Sequence, residues 1–294
     1  MSTLSERAML VSLHISAWGG MAFDKEVSEE VNESFQADKT EAGRYSKRLV
    51  AKHFFAQMSA AHSALKKTHK ILTLPWEDDG TRILSTVSYV RYHADMLDGK
   101  RKAEAEVKKF IAPEYRTEYI NEARIRLGDM FNEDDYPSEL ELKKKFSIDL
   151  EVKKVPEAKD FHAKLSEEAT KAIIKDIEQR CDMRVEKAMN DVFERVAEKV
   201  GNLKEKLKNY QPGKDGKRSN GIIRDSIVYN INEFAQMMPL LNITGDKRID
   251  DLQKQLLDDL VAHSPEILRS DVKVRQQVLS KADALLKKVK GYMT

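Results

Sequence analysis

SEEATKAIIKDIEQRCDMRVEKAMNDVFERVAEKVGNLKEKLK, residues 166–208, is the longest uninterrupted helical pattern in the chain, and its reading decides the fold class. Ile173, Ile177, Cys181, Val185, Ala188, Val192, Val196, Val200, Leu203 and Leu207 recur in steps of four or three, the spacing of one face of an α-helix. Ser166 is placed to cap the first turn, and Glu167 and Glu168 put negative charge where the helix dipole favours it. At about 1.5 Å per residue the segment makes a rod on the order of 60 Å long. Its stripe advances by roughly 3.8 residues per step, wider than the 3.5 of a left-handed coiled coil. Packing within a bundle is therefore expected, rather than a two-stranded zipper.

Working outward, the period changes twice. In VSLHISAW, residues 11–18, Val11, Leu13, Ile15 and Ala17 alternate with Ser12, His14, Ser16 and Trp18, which predicts a strand with the second set on the opposite face. Phe146, Ile148, Leu150 and Val152 alternate with Ser147, Asp149, Glu151 and Lys153 in the same way. A lone strand leaves its ladder groups unpaired, so these two are expected to pair beneath a helical layer. Between them, 24–42 is acidic and expected as a solvated helix or loose connection. Helices are predicted over 44–72, with Leu49 or Val50, Phe54, Met58, Ala61 and Leu65 inward, and over 83–111, with Leu84, Val87, Ala94, Leu97, Val107 and Phe110 inward. A third helix, 114–127, follows Pro113 and ends at Gly128. Ser138 and Glu141 have the spacing of a capping box.

Downstream, a loop over 213–221 precedes three further helical patterns: Ile223 to Met238, stopped by Pro239; Ile249 to Leu260; and Val274 to Val289. The expected fold is mainly α with a minor β element (α+β): helical bundles linked by one long helix, with a sheet of two strands or slightly more. The expected segments are 1–165, 166–208 and 209–294.

Fifty-one Lys and Arg stand against 49 Asp and Glu, so whole-molecule charge argues for neither nucleic acid nor a membrane. The single cysteine, Cys181, excludes an intramolecular disulfide. There is no signal-peptide layout and no apolar run near 20 residues, which predicts a cytoplasmic protein without a membrane span.

Candidate chemistry is sparse. The acidic loops Glu77-Asp78-Asp79 and Glu133-Asp134-Asp135 could gather around a divalent cation, but Asp and Gly serve equally as turn formers. His53, His62 and His69 are spaced too widely along one helix to share an ion. His14 has no nucleophile motif beside it, and 213–221 lacks the phosphate-loop spacing. No catalytic, cofactor or metal residues are assigned, and no enzyme is expected. Local charge remains. Lys204, Lys206, Lys208, Lys214, Lys217, Arg218 and Arg224 face only Glu205 and Asp215, and Lys273, Arg275, Lys281, Lys287, Lys288 and Lys290 face only Asp283. Two such runs could track a phosphate backbone, with Lys204, Lys206, Lys208, Lys214, Lys217, Arg218, Arg224, Lys287, Lys288 and Lys290 as the candidate contacts.

TLPWEDDGTRIL (73–84), LGDMFNEDDYPS (127–138) and FSIDLEVKKVPEAKDFHAKLSEEA (146–169), with LVSLHISAW near the start, resemble a family of uncharacterised phage and prophage proteins often encoded near a MoxR-like AAA ATPase. The resemblance covers roughly residues 8–170 and rests on Trp76, Asp78, Asp79, Arg82, Asp135, Tyr136, Pro137, Pro156 and Phe161. It implies a phage or mobile-element origin, an intracellular role and an ATPase as one partner, and it brings no catalytic residues. The residues themselves suit structural duties: Trp76 anchoring a loop, Tyr136-Pro137 setting the start of the capped helix, Val155-Pro156 ending a strand. The expected function is a non-enzymatic interaction or adaptor protein that self-associates or docks on a protein partner through its long helix. The alternative is a nucleic-acid-binding protein of phage DNA metabolism that uses the basic C-terminal half.

Overall fold

The computed structural model describes residues 3–158, 165–211 and 222–293, so Phe161, Lys214, Lys217, Arg218 and the 213–221 loop lie outside the described residues. The fold is mainly α with a minor antiparallel β element, as expected. Helix α1 (Leu4–Arg7) leads into strands β1 (Ala8–Ser16) and β2 (Met21–Asp24), and α2 (Lys25–Ser34) joins β2 to β3 (Tyr45–Arg48). Then come α3 (Ala56–Leu72), β4 (Leu74–Pro75), β5 (Arg82–Ser85), α4 (Tyr89–Ile111), α5 (Pro113–Leu127), α6 (Glu139–Lys145) and β6 (Ser147–Lys154). The long helix α7 (Glu167–Asn209) precedes α8 (Asp225–Leu241), α9 (Lys247–Gln255), α10 (Pro265–Ser270) and α11 (Val272–Lys290). One sheet has the order β4-β5-β1-β6 and the other pairs β2 with β3.

The chain divides into two compact units, one of Met1–Ser12, Lys70–Tyr92 and Glu151–Thr294, the other of Leu13–His69 and His93–Leu150. Segment 1–165 thus contributes to both units, while 166–208 and 209–294 fall in the first.

In the first unit, Leu10, Leu74, Trp76 and Ile83 share a core with one face of α7 from Ala188 to Leu207 and with the buried faces of α8 to α11. Each large apolar side chain removed from water contributes about 1.5–3 kcal/mol. Arg275 lies 5.1 Å from the Tyr210 ring and Tyr292 lies 5.5 Å from Phe193, so α11 runs antiparallel to α7. Ser166 caps α7 through its hydroxyl, as predicted. The predicted stripe is only partly buried. Before Ala188 no residue of α7 is fully buried, and Ile173, Ile177, Cys181 and Val185 are half-buried.

The second unit packs α3, α4 and α5 around aromatic rings. Phe110 stacks on Tyr119 at 5.3 Å, and Phe54 meets Tyr115 edge-on at 5.4 Å. Pro113 opens α5 and Gly128 closes it at φ 53°, and Ser138 and Glu141 form the expected capping box. His62, on α3, is buried, and its Nε2 has no hydrogen-bond partner among the described residues. Burial first, and Lys66 second, hold the imidazole below its ordinary pKa. The folded chain therefore binds fewer protons than the unfolded chain below about pH 6.5, and stability falls as pH drops through that window. The melting temperature is expected to fall from about pH 7.5 to about pH 5.5, and His62→Leu to flatten that slope; an unchanged slope in the variant would reject the assignment.

Several expectations change. Residues 82–85 form β5 rather than helix: Ala8 pairs with Ser85 and Leu10 with Ile83, while Leu74 of β4 also pairs with Ile83. A four-residue strand is too short to display alternation, and Ile83 and Leu84, adjacent and both buried, read equally as the start of a helix. The true helix begins at Tyr89, which leaves Val87 and Leu97 exposed. The helix expected over 44–72 opens instead with β3 and a 3₁₀ turn, Lys52–Phe55. Ser12 is buried rather than on a polar face, its hydroxyl 3.2 Å from that of Thr81, because β1 is an inner strand. Val152, expected inward, is exposed. Pro239 does not stop α8, which runs to Leu241; its missing N–H forfeits a single ladder bond near the C-terminal end of the helix. Segment 24–42 takes the helical of its two expected forms, as α2, and is tied down rather than loose. Asp24 caps α2, and the Asn32 amide donates to the carbonyls of Lys39 and Gly43.

Candidate protein-docking groove

Most of the motif residues that are described have structural partners. Trp76 is buried in the first core, with the Arg184 guanidinium 5.8 Å from its ring. Arg184 pairs with Glu77 at 2.9 Å and Lys187 with Asp78 at 3.0 Å, so the acidic loop straps onto α7. Asp79 accepts from the Thr81 N–H at 2.8 Å, which holds its carboxyl below the usual range. Arg82 donates to Thr73 Oγ1 at 2.6 Å and Arg195 to the carbonyls of Lys70, Ile71 and Thr73, so two guanidinium groups close the C-terminal end of α3. Burial, with Arg195 adding to it, brings the Arg82 pKa down to about 10. The carboxylates of the 77–79 loop raised as cation ligands are thus engaged elsewhere. Among the described residues no group of three His, Cys, Asp or Glu is arranged to hold a metal.

Asp135 and Asp24 flank the buried Lys47 ammonium at 2.7 and 3.0 Å, and Lys47 also donates to the Met130 carbonyl. Burial pulls the Lys47 pKa down, but Asp135 and Asp24 outweigh it and hold it above its ordinary value. Tyr136 donates to the Leu49 carbonyl at 2.9 Å, and the Pro137 carbonyl accepts from Arg116 at 2.9 Å. Pro156 follows β6, which ends at Lys154.

The basic candidates among the described residues do not merge into one patch. Lys206 and Lys208 are exposed on the last turn of α7, and Lys287 and Lys290 on the last turn of α11. Because the two helices are antiparallel, the two clusters lie roughly 15 Å apart along the pair. Lys204 is ion-paired with Asp283, Lys288 lies over Tyr292, and Arg224 is exposed at the start of α8.

The concave feature of the second unit runs between α3 and α4. A cavity of about 590 Å³ has a floor of Ala60, Ala61, Ala64, Leu65 and Gly99. A second, of about 450 Å³, is a cup of Phe54, Met58, Phe110 and Tyr115. Both are lined by Gln57 and Glu106, so they are two ends of one groove. Gly99 permits the close approach of the helices: a Cβ there would sit 2.8 Å from Leu65 Cδ1. The rim carries Asp95, Asp98, Glu106, Glu114 and Glu118 against Lys102 and Lys109. Burial first, then Glu118 and Glu106, raises the Tyr115 hydroxyl above its ordinary pKa. Of the α3 alanines only Ala61 was expected inward; the exposure of Ala60 and Ala64 follows from which face α4 covers.

No protein-family model, curated protein or solved structure matches this chain.

Proposed function

We propose that the chain is a non-enzymatic interaction protein that docks a protein partner in the α3–α4 groove. The observation that supports this is the groove itself: a continuous cleft with an apolar floor, an aromatic cup and a charged rim, in the size range of pockets that seat ligand or peptide side chains. The long helix, the docking element expected from sequence, spends its C-terminal half on its own core. The nucleic-acid reading comes second, because the described cations of α7 and α11 are partly ion-paired and stand in two separate clusters. The phage origin is likewise a proposal, resting on the PWEDDGTR and DYPS motifs, and an AAA ATPase is one partner of that reading.

A photo-crosslinking side chain at position 64, introduced in producing cells, is expected to yield a discrete adduct that the same group at position 143, on α6, does not. Ala60→Trp, which fills the floor, is expected to abolish it. Adducts equal at both positions would overturn the reading. The adduct mass identifies the occupant, including an ATPase or a second copy.

A further inference from the structure

On the reading that the groove is a docking site, its charge and shape select the occupant. The groove carries charge opposite in sign to that of the chain: five rim carboxylates face two lysines, whereas the whole sequence has a net charge of +2. Both lysines are committed locally, Lys102 to Asp98 at 2.7 Å and Lys109 to Glu106 at 2.6 Å. Glu114 and Glu118, one turn apart on α5 beside the aromatic cup, have no ion pair among the described residues. Excess negative charge is therefore concentrated where the groove is deepest in aromatic surface.

Shape narrows the occupant further. The floor along α3 runs from Gln57 to Thr68, which at about 1.5 Å per residue is roughly 16 Å, or three turns of helix. Its side chains are small, so a helix backbone can lie close, and the cup at one end can take one bulky apolar side chain. An extended peptide would find no sheet edge here to pair its backbone groups, whereas a helix satisfies its own. We infer that the groove binds a cationic amphipathic helix of a protein partner, with a large apolar anchor in the Phe54–Phe110–Tyr115 cup and a Lys or Arg one turn away on Glu114 and Glu118. A second copy is a poorer fit, because the basic amphipathic helix of this chain, α11, has its apolar face buried in its own core.

The test titrates the full chain into a fluorescein-labelled peptide of about four turns, with Leu, Ala and one Phe on one face and Lys on the other, followed by anisotropy. The control peptide has Glu for Lys. The cationic peptide is expected to bind and the acidic one not to. Glu114→Lys with Glu118→Lys is expected to weaken binding at least about tenfold, since each 1.4 kcal/mol lost is one decade. Ala64→Trp, at an exposed position, is expected to block the groove without unfolding the chain. Equal binding of both peptides, no binding of the cationic one, or binding indifferent to either variant would overturn the inference. So would sedimentation at twice 33.7 kDa that Ala64→Trp reverses, which would assign the groove to a second copy. If crosslinking at position 64 succeeds while the peptide result fails, the docking site stands and the cationic occupant falls.

Discussion

Trp76→Ala is expected to destabilise the first unit by about 3–5 kcal/mol, the range for truncating a buried large aromatic side chain. The indole is 2% exposed, in the same core as Leu74, Ile83 and the buried face of α7. Its removal takes away that contact area and the cation–π contact with Arg184, and the loop held by Glu77 and Asp78 loses its apolar anchor. Those ion pairs, Arg184–Glu77 partly and Lys187–Asp78 mostly exposed, cannot compensate, since surface pairs contribute about 0–1 kcal/mol. A fall in melting temperature on the order of 10 °C should result. Trp76→Phe is expected to cost less than half as much, because the indole N–H has no hydrogen-bond partner among the described residues to lose. Equal losses for Ala and Phe would show that the N–H, not the ring, carries the anchor.

The second large effect belongs to Lys47. Its side chain is 7% exposed and stands between Asp24 and Asp135. Lys47→Ala leaves two nearby carboxylates with their common counter-charge gone, and removing one partner of a buried pair costs about 3–5 kcal/mol. Lys47→Ala with Asp24→Asn and Asp135→Asn should recover much of that loss, because the penalty is the uncompensated charge rather than the missing lysine. The pH dependence has a defined sign. The Lys47 ammonium, ahead of the Val27 N–H, holds the Asp24 carboxyl below its ordinary value. Its contribution is present in full above about pH 4 and is lost as pH falls through the folded value. The variant's deficit, measured by urea unfolding, should therefore shrink in acid; a deficit that stays constant through that range would count against the triad.

Legibility in the sequence followed the length of the element. The 43-residue α7 repeats its period many times, and its capping serine, the Pro113 start, the Gly128 stop and the Ser138–Glu141 box are local chemistry that needs no distant partner. The short strands β2 to β5 were hidden because two to four residues cannot display a period, and what makes them strands is a neighbour far along the chain, as with Ala8 and Ser85. The groove was hidden for a related reason. Ala61 falls in the inward pattern expected over 44–72, Ala60 and Ala64 carry no signal of their own, and Glu114 and Glu118 read as ordinary first-turn and surface acids.

By itself the sequence determined the class of the protein: a mainly helical chain with a minor sheet, one long helix, and ends marked by capping residues, all consequences of backbone hydrogen bonding and side-chain period. Tertiary structure alone decided that α7 buries its stripe only from Ala188 onward, that the acidic loop at 77–79 is a strap onto that helix, and that the alanines of α3 form the floor of an acid-rimmed cleft. Burial and charge pairing depend on which surfaces meet, and residues far apart in sequence meet only once the chain has packed.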